Sequence, residues 1–123
     1  MQTSLKGKNE MDIKKFKEIV ATRRQQDEEQ YEASPPIEKC WRELTDVLSE
    51  DIASTIKFMM EECTAEEFSY ISEVFDFVVE KTQSVEFLDC IKFLAARYPE
   101  DAKRYHYDGC IEFAELALIR EDE

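Results

Sequence analysis

Few side chains in this sequence could do chemistry. There is one histidine, His106, within Tyr105-His106-Tyr107-Asp108, and there are four cysteines, at 40, 63, 90 and 110. A Cys–His nucleophile pair can be drawn between His106 and Cys110. Such a pair needs a third group to orient the imidazole and donors for a developing oxyanion. Gly109 loosens the intervening segment and nothing nearby supplies the missing parts, so the pattern reads as a hydrogen-bonded histidine in a turn. Di-metal sites in helical bundles use Glu-x-x-His, but the residue three before His106 is Lys103. The cysteines form no C-x-x-C, which argues against a zinc knuckle or a thioredoxin-like pair. Each sits on or beside an apolar helical stripe, where a free thiol behaves as a small hydrophobe. No glycine-rich phosphate loop and no G-x-S-x-G occurs. The expectation is a chain without catalytic residues, cofactor or metal, acting by binding.

Charge indicates what it would bind. The net charge is −13, unevenly spread: residues 1–24 hold seven Lys/Arg against three acids, and the remainder nine against twenty-six, or −17. A body this acidic repels nucleic acid and anionic membrane surfaces, and it attracts basic proteins. Acidic surfaces also simply confer solubility. The start, MQTSLKGKNE, lacks an apolar leader, and no run approaches the ~18 apolar residues of a membrane span. The expected compartment is cytoplasmic, and no nucleic-acid or membrane partner is expected.

The elements that must position any binding surface are helices. Two glycines and three prolines in 123 residues cannot supply the turns of a sheet protein. Apolar residues recur at helical spacing instead. The periodicity predicts an all-α fold, a compact bundle of five to six antiparallel helices or stacked helical hairpins. Residues 1–10 are expected to be a frayed extension and 11–123 a single domain. Helices are expected at about 11–31, 36–48, 50–62, 65–81, 85–98 and 109–120, with a short helical turn within 100–108. Ser34-Pro35-Pro36, Ser49, the Thr64/Glu67 capping box and Ser84 mark helix starts, and Pro99 marks a stop. Trp41 falls on the apolar stripe of its helix with Cys40, Leu44 and Leu48, and so reads as a core anchor. The last helix carries Cys110, Ile111, Phe113, Ala114, Leu116, Ala117 and Leu118 against only two glutamates. It is expected to be central and buried nearly all round.

One helix has a second pattern. On an ideal helix over 65–81, Phe68, Ile71, Val74, Phe75, Val78 and Val79 complete the core face. The opposite stripe carries Glu66, Tyr70, Glu73, Asp76, Phe77 and Glu80. Two aromatics seven residues apart therefore point outward among carboxylates, and Phe58 is expected to project similarly from the preceding helix. Aromatic anchors ringed by charge suit a protein-binding hot spot. The alternative is that neighbouring helices, or the N-terminal one, cover them.

Ile71 to Leu118 resembles the small helical immunity proteins that accompany polymorphic toxins in bacteria, including contact-dependent growth inhibition systems. The resemblance lies in the SEVF helix from Ser72, the TQSVEFL cap and helix from Thr82, the RYPED helix stop from Arg97 and the alanine-rich IEFAELA helix from Ile111. It implies stoichiometric blocking of a cognate toxin, often a nuclease with a basic groove, and it carries no catalytic residue. The competing reading is an intracellular helical adaptor for basic proteins.

Overall fold

The computed structural model describes residues 10–29 and 37–119. The fold is all-α, and no strand occurs among the described residues. The helices are α1 (Ile13–Glu29), α2 (Ile37–Ser49), α3 (Ile52–Glu61), α4 (Ala65–Ile71), α5 (Phe75–Thr82), α6 (Val85–Arg97), α7 (Pro99–Tyr105) and α8 (Tyr107–Ala117). A 3-10 turn, Ser72–Val74, joins α4 to α5. With that joined segment counted as one rod, there are seven helices among the described residues, where five to six were expected. The added rod is α7. Pro99 ends α6 as anticipated, but with its fixed φ and missing N–H it also opens α7 at the first helical position. The extension expected at 1–10 apart from Glu10, the helix end at 30–31, the Ser34-Pro35-Pro36 cap and Arg120 at the end of the last expected helix lie outside the described residues.

Local chemistry sets most boundaries. The capping box is present: Thr64 Oγ1 accepts from Glu67 N at 3.1 Å and Glu67 Oε1 accepts from Thr64 N at 3.0 Å. Ser84 Oγ accepts from Phe87 N at 3.0 Å and starts α6. α3 is capped by Asp51, whose Oδ1 accepts from Ser54 N, and not by Ser49. Two non-glycine residues in the left-handed region turn corners: Gln83 (φ 53°) after α5 and His106 (φ 59°) between α7 and α8.

The core is aromatic at its centre. Phe68, Phe75, Phe87 and Tyr107 are fully buried, with ring centroids 5.1 Å apart for Phe68–Tyr107, 5.4 Å for Phe68–Phe75 and 6.4 Å for Phe75–Phe87. α5 and α8 make the most extensive helix contact, and they run parallel. Gln83 at the end of α5 bonds Ala117 and Ile119 at the end of α8, while Glu73 and Cys110 line one cavity at the opposite end of the pair. α6 runs antiparallel beside α8, tied by Lys92–Glu115 at 2.7 Å.

Phe58 and the last helix both face otherwise than expected. Phe58 does not project; it is 3% exposed and packs edge-on against Phe16 at 5.2 Å. The cause is Thr55, which is fully buried because its hydroxyl donates to Leu48 O at 2.8 Å. A satisfied hydroxyl can face the core, and it turns α3 so that Phe58 enters while Met60 is left partly exposed. The last helix is not buried all round. Only Tyr107 and Ala114 are buried, whereas Phe113 and Leu116 are exposed. α8 meets α5 on one side and α6 on the other, and no described element covers its outer face.

Candidate functional site

The expected stripe of Glu66, Tyr70, Glu73, Asp76, Phe77 and Glu80 divides at the 3-10 turn. Three residues at 120° rather than 100° per step rotate α5 relative to α4 by roughly 60°. The α4 half and the α5 half therefore no longer share a face.

On the α4 half, α1 covers the stripe. Arg23 lies seven residues after the buried Phe16 and extends the inner face of α1 with a guanidinium. Its Nε and Nη2 donate to Glu73 Oε1 and Oε2, each at 2.9 Å, and its Nη1 donates to Asp27 Oδ1 at 2.7 Å. Burial alone would lower the Arg23 pKa, but the hydrogen bonds and charges of Glu73 and Asp27 outweigh it and hold it above the usual value. Tyr70 is 8% exposed. Its ring lies under the Arg23 guanidinium, 5.7 Å away, and its hydroxyl donates to Asp27 Oδ2 at 3.2 Å. Burial first, and the Asp27 carboxylate second, push its phenol up to about 12. Tyr70 is therefore not the outward anchor expected. Arg24 clamps Glu66 with two bonds, of 2.9 and 3.0 Å, and the first effect of that pairing is to lower the Glu66 pKa. The alternative weighed from sequence, that the N-terminal helix covers the stripe, holds for this half.

On the α5 half the stripe stays open. Phe77 is 39% exposed, Glu80 is exposed and Asp76 is half-buried. Neither carboxylate enters an ion pair among the described residues. Phe77 faces Trp41 on α2 with centroids 6.4 Å apart. Between them runs a groove of about 400 Å³, lined also by Glu38, Arg42, Thr45, Asp46, Glu80 and Lys81. Lys81 and Asp46 pair across its far end at 2.7 Å. Trp41, expected in the core, is half-buried and forms one wall. Its Nε1 donates to Glu73 Oε1 at 2.9 Å. The carboxylate that binds Arg23 thus also sets the angle of the indole. The one hint available in sequence was that Trp41 lies at the edge, not the middle, of its helical stripe.

The thiols and the histidine do not assemble into a reactive centre. Burial raises all four thiol pKa values, to about 12 for Cys63 and about 11 for Cys90. For Cys110 burial acts first, and the carboxylates of Asp76 and Glu73 push the same way, which is the reverse of nucleophile activation. His106 is exposed and serves the backbone, its carbonyl accepting from Cys110 N at 3.2 Å. Among the described residues no group of three or more His, Cys, Asp or Glu could hold a metal ion. No described helix is long and apolar enough to cross a membrane. No family model, curated protein or solved structure matches the chain.

Proposed function

We propose that this chain is a binding protein that neutralises a cognate bacterial toxin, as do the immunity proteins it resembles. It sets the Trp41–Phe77 groove and the Asp76 and Glu80 carboxylates against a basic surface of that toxin, such as the substrate groove of a nuclease. The observation that carries this reading is that an exposed aromatic, Phe77, shares one groove with two carboxylates, Glu38 and Glu80, that enter no ion pair among the described residues. An anchor of this kind, desolvated on binding and rimmed by charge, is where interface energy concentrates. The acidic body steers a basic partner and speeds encounter. Inhibition then needs only occupancy of the partner's groove, in the compartment where the toxin acts, which for a nuclease toxin is the cytoplasm. Of the other residues expected at the contact, Glu73 acts from behind the groove by holding the Trp41 indole, while Glu66, Tyr70 and Phe58 are engaged with α1.

The test is co-expression with the product of the gene immediately upstream, where a toxin gene would lie. The wild-type chain should restore growth, and Phe77→Ala combined with Glu80→Lys should lose protection while keeping its helical circular dichroism. Full protection by that double variant at low expression would overturn the reading.

The second reading, an adaptor joining two proteins, draws on a second exposed apolar stretch, on α8, none of whose residues lines the groove. Native mass spectrometry separates the two: a neutraliser forms a binary complex and an adaptor a ternary one.

A further inference from the structure

Phe113, Leu116 and Ile119 expose 66, 79 and 74% of their surface, more than any other large apolar side chain among the described residues. Phe113 and Leu116, three apart, share the outer side of α8, and Ile119 comes just past its end. Together they present roughly 400 Å², taking about 180–200 Å² for each whole residue. A patch of that size on a small domain is commonly functional. It is also held in place. Gln83, in its left-handed corner, donates from Nε2 to Ala117 O at 3.0 Å and accepts at Oε1 from Ile119 N at 2.7 Å. One side chain thus pins the end of the helix to α5.

Charge identifies the occupant. From Tyr107 to Ile119 every charged residue is an acid, and of these only Glu115 is in an ion pair among the described residues. The two acids left without an ion pair among the described residues, Asp108 and Glu112, are exposed and stand four residues, about one turn, apart on α8. A second copy suits the face badly. Each chain carries −13, and the exposed apolar area is about half of the ~800 Å² per partner that stable association uses.

We propose that the Phe113–Leu116–Ile119 face docks a cationic amphipathic segment of a partner protein, its apolar residues seated on the three side chains and its Lys or Arg set against Glu112 and Asp108. The proposal does not rest on toxin neutralisation, which was argued from the α2/α5 groove.

The probe is a synthetic leucine–lysine peptide with helical spacing, titrated into the full chain at low salt, with its leucine–glutamate counterpart as control. Anisotropy tracks the labelled peptide and amide shifts track the protein. The lysine peptide should bind saturably and shift amides around Leu116 and Ile119, and the glutamate peptide should not bind. Leu116→Asp should weaken binding at least about tenfold. Because Asp adds negative charge, a purely electrostatic association would tighten instead, and that result overturns the proposal. Shifts centred on Trp41 and Phe77, or equal binding of both peptides, overturn it as well. A dimer in sedimentation that Leu116→Asp dissociates would assign the face to a second copy and also overturn it. Phe113→Ser serves as the second variant if Leu116→Asp loses its helical circular dichroism.

Discussion

Tyr70 and Phe77 stand seven residues apart, each flanked by carboxylates, and on an ideal helix they would share one face. In the folded chain Tyr70 lies under a guanidinium with its hydroxyl bonded, while Phe77 opens onto a groove. Composition does not separate these two regions. What separates them is a three-residue 3-10 turn, which breaks the register, and two arginines of α1, which reach only the first half. In the closed half, carboxylates act as ligands for arginine and aromatics as packing. In the open half the carboxylates enter no ion pair among the described residues, and Phe77 meets Trp41 across an open groove. An aromatic–acid stripe is therefore a surface only where no cation of the same chain reaches it.

Charge reversal tests this contrast most severely. Glu73→Lys breaks the bonds from Arg23 and Trp41 and sets an ammonium beside a buried guanidinium, and it should cost about 4 kcal/mol. Glu80→Lys, on open surface, should stay within ~0.5 kcal/mol. Urea denaturation of the two variants checks both values, and equal costs would erase the distinction. Arg23→Ala should come next at about 3 kcal/mol, because it leaves Glu73 and Asp27 without their partner. It should also shift the Trp41 emission, since Glu73 then loses its fixed position beside the indole N–H.

Part of this division was legible in sequence. The helix starts at Thr64 and Ser84 depend on side chains bonding amides two or three residues away, and such local chemistry can be read from a string of letters. The all-α class comes from scarce turns and regular spacing. What was not legible depends on residues distant in sequence. Arg23 and Glu73 are 50 positions apart, and nothing near Glu73 announces its partner. Phe58 is inward against expectation because Thr55, polar by type, has its hydroxyl satisfied by Leu48 O seven residues away. The last helix reads from sequence as buried because it is apolar, and apolar is not the same as covered. Phe113 and Leu116 are apolar without a neighbour, and sequence periodicity cannot tell a face that is covered from one that awaits cover.

The two aromatics themselves give the next measure. Tyr70→Ala removes a buried, hydrogen-bonded ring and should cost about 3 kcal/mol, against about 1 kcal/mol for Phe77→Ala, which loses a partly exposed one. The gap of roughly 2 kcal/mol should appear in denaturation midpoints at unchanged slope. For binding the order should invert, with Phe77→Ala the more damaging. A Phe77→Ala variant as unstable as Tyr70→Ala would make the groove a packing seam and not a docking surface.

The smallest effect belongs to the outer of the two arginines. Arg24 makes two bonds to Glu66, much as Arg23 does to Glu73, yet both members of the Arg24–Glu66 pair are well exposed, at 39% and 54% of their side chains. Water and salt screen such a pair, and ordering two long side chains offsets most of what remains. Arg24→Ala should therefore lower the urea midpoint at pH 7 only slightly, far less than Arg23→Ala does. Its pH dependence has a definite sign. Arg24 holds the Glu66 carboxyl below the 4.5 of an unpaired glutamate, so the folded state favours the ionised form. The resulting stability is present above pH 4.5 and is lost as pH falls through the folded value. Wild type and Arg24→Ala should thus converge as the pH drops below 4.5. An Arg24→Ala loss as large as that of Arg23→Ala would mean that bond geometry alone sets the strength of the clamp, and burial would no longer explain why one arginine closes its half of the stripe while the other merely decorates it.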